Sequence, residues 1–165
     1  MQEFQFKASD GQELTGFFYP SSQPKATLLM GSALGVPQQF YKHFATYMAK
    51  QGFQCLSFDY RGTGKSTYKG KVADVQLADW GHLDIEAAIQ TAKQFSAEKN
   101  VDESELYYLG HSIGGQLLGL ASSSADIKAC MFVGASSPYW ARWPNPRKLF
   151  MGFVCFGLLP LLSFA

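Results

Sequence analysis

The chain has 165 residues, 47% of them hydrophobic and 16% charged, with a net charge of +1. That length holds one domain with a real core and is short for two, and the composition excludes a disordered chain. A near-neutral balance gives no electrostatic basis for a nucleic-acid partner. In chain order, the first elements form a hairpin over residues 2–19: EFQF and LTGFFY flank the turn signal Asp10-Gly11. ATLLM (26–30) is a short, continuous apolar run, as in a strand buried on both faces. Residues 38–51 have helical spacing, with Phe40, Phe44, Tyr47 and Met48 on one side and Gly52 as the stop. FQCLSF (53–58) is the next strand, and residues 61–73 form a polar, glycine-containing loop. Asp79 is a candidate cap for a helix whose apolar stripe is Ile85, Ala88, Ile89, Ala92 and Phe95. ELYYLG (105–110) is a third strand of this kind, a helix is expected from about Gly114 to Ala125, and KACMFVG (128–134) is a fourth strand. Strand and helix alternate, so the fold class is α/β: a hairpin followed by about four parallel strands with helices on both faces.

In such sheets functional groups collect beyond the carboxyl ends of the strands. Gly110-His111-Ser112-Ile113-Gly114 stands there, between a strand and a helix, and matches G-x-S-x-G. A serine on so tight a turn needs small residues two before and two after it, here Gly110 and Gly114. The turn lifts the hydroxyl above the sheet and puts the N–H of Ile113 at a helix N-terminus, where it can meet a developing oxyanion. Gly62-Thr63-Gly64-Lys65-Ser66 ends like a phosphate-binding loop, but position 59, where the first glycine of G-x-x-x-x-G-K-[ST] belongs, is Asp59. Asp59 and Arg61 are expected to hold that loop by hydrogen bonds and an ion pair.

GHSIGG, FDYRGTGKS (58–66) and MGSALGVPQQFY (30–41) together resemble the α/β-hydrolase family, in particular serine hydrolases similar to lysophospholipases and serine aminopeptidases. The resemblance covers residues 1 to about 140, the N-terminal part of that fold. It implies that Ser112 is a nucleophile forming an acyl-enzyme with an ester or related acyl substrate. It implies that Ile113 supplies one oxyanion N–H, and that the loop after the first parallel strand supplies the other, from Ser32 or Leu34. It also implies that a carboxylate and then a histidine follow the serine in the chain. The three histidines are His43, His82 and His111, none of them after Ser112, and no Asp or Glu follows Asp126. His43 and His82 are expected as packing or surface residues, and Asp84 and Glu86 as helix-surface carboxylates.

The reading is therefore a truncated hydrolase core over 1–140, inactive alone, with a cut-short apolar lid over 141–165. The alternative is a non-catalytic binding protein that keeps the elbow as scaffold. Residues 149–165 are apolar and uncharged, but fewer than the roughly 20 needed to span a bilayer. A lid segment is preferred there to a membrane-surface helix. The three cysteines, Cys55, Cys130 and Cys155, are widely spaced with no CxxC or Cys/His cluster, so reduced thiols in a cytoplasmic protein are expected, with no metal or cofactor. The N-terminal MQEFQFKASDGQE lacks the basic-then-apolar order of a secretory leader, which fits the same compartment.

Overall fold

The computed structural model describes residues 1–136, 144, 145 and 147–154. Contacts divide the chain into two units, Met1–Ala135 and Ser136–Ala165. The described part of the second is a short helix, Arg147–Phe153, with Leu149, Phe150 and Phe153 exposed. The remainder of the apolar tail and Cys155 lie outside the described residues. No described helix is long and apolar enough to cross a membrane.

The first unit is built on one six-stranded sheet in the order β1-β2-β4-β3-β5-β6. The strands are β1 (Gln2–Lys7), β2 (Glu13–Tyr19), β3 (Ala26–Gly31), β4 (Phe53–Phe58), β5 (Leu106–His111) and β6 (Ala129–Val133). The hairpin β1–β2 turns through Gly11 at φ +82 and joins β4 antiparallel, while β4, β3, β5 and β6 run parallel. All six residues of β3 are buried, as the uninterrupted apolar run required. β6 is the far edge. Its five residues are exposed, and no described strand pairs with its outer side.

Alternate residues along the strands feed two cores. Phe18, Leu29, Leu56 and Tyr108 point to one face, where they meet Ile85, Ile89 and Ala92. Phe17, Leu28, Cys55 and Leu109 point to the other, where they meet Tyr41 and Ala45. The helices are α1 (Lys42–Lys50), α2 (Leu77–Asp79), α3 (Glu86–Glu98) and α4 (Ile113–Leu117). α2 and α3 are joined by a π-helical turn, Trp80–Ile85.

Three expectations about helices are corrected. The aromatic stripe Phe40, Phe44 and Tyr47 is exposed, and Tyr41 and Ala45 face the sheet instead. The small Ala45 lets the helix approach the strands closely on that side. Asp79 does not cap the helix from outside: it lies in the first turn, and its carboxylate accepts the N–H of Gln76, the true cap position, at 3.1 Å. The helix expected to reach Ala125 ends at Leu117 and gives way to two 3₁₀ turns, Leu118–Leu120 and Ser122–Asp126. Gly119 and the run Ser122-Ser123-Ser124 are weak helix formers, and Ala121 between the turns is extended at φ −75, ψ 130.

Candidate active site

Ser112 joins β5 to α4 at φ 51, ψ −115, one of two described non-glycine residues with positive φ. This is a strained conformation for a residue with a Cβ, and it persists only where the surroundings enforce it. They do so here. The N–H of Ser112 donates to the carbonyl of Val133 on β6 at 2.9 Å, and its own carbonyl accepts from Gly115 N at 3.1 Å. A Cβ on Gly110 would stand 2.5 Å from the Cα of Gly115. A Cβ on Gly114 would press into the Gly31 carbonyl and lie 2.9 Å from the Ser32 oxygen. Both glycines of the motif are thus required by backbone packed on backbone. Ile113 is the first residue of α4, where the backbone N–H lacks a partner within the helix.

The loop after β3 is held against this turn. Ser32 is 3% exposed and Leu34 is 62% exposed. Between them, the Ala33 N–H donates to the Tyr41 hydroxyl at 3.1 Å, and that hydroxyl is 2.8 Å from His111 Nδ1. Beneath lies a pair of buried phenols. The Tyr108 hydroxyl donates to the Gly114 carbonyl at 2.9 Å and, with Tyr60, fills the space where a side chain on Gly31 would be. Burial pushes both phenols well above their ordinary pKa, so both stay neutral, and of the two only Tyr108 makes a hydrogen bond among the described residues.

No described side chain hydrogen-bonds the Ser112 hydroxyl. His111, its neighbour, points its Nδ1 to Tyr41. His43 is exposed on α1. His82 is exposed, with Nδ1 2.8 Å from the Leu120 carbonyl. Asp84 departs from the sequence reading. It is fully buried rather than on the surface, because Arg61 donates to it from both the backbone N, at 2.9 Å, and Nε, at 2.8 Å. Burial pushes its carboxyl up to about 6 against the pull of those donors. Glu86 is half-buried rather than free on the surface, and accepts from Ser123 N at 2.8 Å. Arg61 also pairs with Asp10, Nη1 to Oδ2, at 2.7 Å.

The phosphate-loop look-alike is closed on itself. The Ser66 hydroxyl donates to the Asp59 carbonyl at 2.6 Å and accepts from Thr15 N at 2.8 Å. The Asp59 carboxylate accepts the N–H groups of Gln38 and Lys65, each at 3.0 Å. Its backbone donors therefore serve the fold. Arg61 forms its ion pairs with Asp84 and Asp10, and Asp59 takes the hydrogen bonds. Tyr41 was invisible to the sequence reading because an aromatic in a helix start is usually core. The described residues hold no cluster of metal-ligating side chains.

A profile of the family described as “Serine aminopeptidase, S33” matches residues 22–161. An uncharacterised Escherichia coli protein, YfhR, is 31% identical over 119 residues, covering 69% of this chain and 39% of that one. A proline iminopeptidase of Chitinophaga pinensis is 27% identical over 97 residues, 58% of this chain and 30% of its own length. Among solved structures, the α/β hydrolase GrgF of a Penicillium species superimposes with a TM-score of 0.68 at 21% identity, covering 99% of this chain and 55% of that one. Thermogutta terrifontis esterase 2 gives 0.61 at 19% identity, over 79% and 55%. The chain thus spans well under half the length of these curated relatives.

Proposed function

Because the chain belongs to the serine aminopeptidase S33 family of α/β hydrolases, we propose that Ser112 is the nucleophile of an acyl-transfer reaction on an ester or related acyl compound. One observation carries the reading: a serine held at φ 51, ψ −115 between a parallel strand and a helix start. Backbone strain of this size is retained where it aims a reactive group. Ser112 Oγ attacks the acyl carbonyl, and the developing oxyanion accepts the N–H of Ile113 and one N–H of the loop after β3. Ser32 is the better second donor, since its carbonyl already lies against Gly114, while Leu34 faces solvent and the Ala33 N–H is occupied by Tyr41.

The hydroxyl proton goes to a base outside these residues, because no histidine follows Ser112 and no carboxylate follows Asp126. The leaving group departs with a proton, and water then hydrolyses the acyl-Ser112 ester. On their own these 165 residues are expected to react slowly, with the residual rate an oxyanion site gives without its triad, about 10³-fold over water.

Fluorophosphonate labelling with peptide mapping tests this. Slow modification of Ser112 in the wild type, lost in Ser112→Ala, is the expected result. Equal labelling of both proteins, at another residue, overturns it. No labelling at all over long exposure favours the alternative of a non-catalytic protein whose elbow is scaffold.

A further inference from the structure

Tyr41 touches two segments that the proposed reaction needs in register. Its hydroxyl is 3.1 Å from the N of Ala33, in the loop after β3, and 2.8 Å from Nδ1 of His111, the residue before Ser112. A phenol has one proton and two lone pairs. The Ala33 N–H can only donate, so it takes one lone pair, and the remaining proton and lone pair leave the hydroxyl able to bond Nδ1 in either direction. The ring is itself immobilised: Tyr41 is 7% exposed, and meets His111 edge-on with centroids 6.0 Å apart. Burial raises the Tyr41 pKa, which keeps the hydroxyl protonated at neutral pH.

We propose that Tyr41 is a positioning residue, a latch whose single hydroxyl holds the Ser32–Leu34 loop at a fixed distance from the elbow. The same segments also meet through the Gly31–Gly110 strand pair and the packing of Gly114 on the Gly31 and Ser32 carbonyls, both of which act at or before Ser32. The Tyr41 bond falls one residue later, and Gly35 at φ +70 follows shortly after. Without the latch, the loop keeps its β3 end and, further on, the Val36 N–H to Ala33 carbonyl bond at 3.1 Å and the Gln38–Asp59 bond at 3.0 Å, but Ala33 loses its hydrogen bond toward the elbow. Tyr41 touches no reacting atom. Its effect passes through Ala33 and His111, and its catalytic consequence rests on the reading of Ser112 given above.

The test uses the full 165-residue chain and Tyr41→Phe, which keeps the ring and removes the hydroxyl. Nitrogen-15 spectra of wild-type His111 are expected to show Nδ1 engaged in a hydrogen bond that Tyr41→Phe removes. In Tyr41→Phe, the Ala33 amide is expected to exchange with solvent about tenfold faster, the ratio that a lost hydrogen bond of roughly 1.4 kcal/mol gives, while β3 and β5 amides keep wild-type rates. Fluorophosphonate modification of Ser112 is expected to slow about tenfold in its maximal rate with unchanged probe affinity, as a misplaced oxyanion donor requires. A wild-type His111 whose Nδ1 takes part in no hydrogen bond overturns the latch and needs no variant. So does wild-type exchange at Ala33 in Tyr41→Phe. If wild-type Ser112 takes no probe, the reading of Ser112 fails and the latch is still decided by the exchange and ring-nitrogen data.

Discussion

The two faces of the sheet carry helices with the same apolar rhythm and opposite fates. On one face, Ile85, Ala88, Ile89 and Ala92 of the π-turn and α3 are all buried against Leu29, Leu56 and Phe58. On the other, Phe40, Phe44 and Tyr47, spaced just as regularly, stay in water, with Phe40 at 68% exposure. Phe44 and Met48 instead line an open groove of about 350 Å³ with Tyr107, Leu109 and Met131. A helical period identifies a face that gains by leaving water. It does not say which neighbour supplies the cover. The α3 face also carries a buried charge network, Arg61 with Asp84.

The strongest way to break that contrast is through Arg61. Arg61→Ala leaves Asp84 buried with the backbone N–H of position 61 but no cation, and a loss of about 3 kcal/mol in urea unfolding is expected. A loss under about 1 kcal/mol would show that the network contributes little and that the faces differ only in packing. Next, Ile89→Ala should cost about 3 kcal/mol as a cavity in a closed core, whereas Phe44→Ala, on the open groove, should cost less than about 1 kcal/mol. Equal losses would mean that the groove is filled in solution.

The pH dependence sharpens the same point. Asp84 titrates at about 6 when folded, against an ordinary value of 3.8. The folded chain therefore holds more protons between those values, and the stability this contributes is full at acid pH and lost as pH rises through about 6. Stability should fall by about 1 kcal/mol between pH 5 and 7, and Asp84→Asn should flatten the slope. A rising slope in the wild type that disappears in Asp84→Asn would reverse the sign. The smallest effect lies between the faces, at the elbow. Ser112→Gly relieves the positive φ and should raise stability by about 1 kcal/mol, while abolishing fluorophosphonate labelling. Lower stability in that variant would mean that the turn is unstrained.

Much of this architecture could be read from residues. The continuous apolar run ATLLM placed β3, because a strand covered on both faces exposes no polar side. Gly110 and Gly114 marked the elbow, because only backbone can sit where their side chains would be. What could not be read depended on distant partners. Asp84 looks like a surface carboxylate on a helix until Arg61, 23 positions earlier, folds over it. Tyr41 and Ala33 become a pair only when the loop after β3 closes on α1. The helix after the elbow was overextended because serine and glycine lower helix propensity by small increments that a periodic pattern hides.

The exposed strand β6 carries a chemical handle. Cys130 lies in register with Tyr108 on its inner neighbour and its thiol is accessible, whereas burial of Cys55 pushes that thiol up to about 12. An alkylating reagent, followed by peptide mapping, therefore distinguishes the outermost strand from the centre of the sheet in a single reaction. Anything that docks along the outermost strand, whether more of a polypeptide or another molecule, will show itself as a slowing of Cys130 alkylation, with Cys55 as the internal blank.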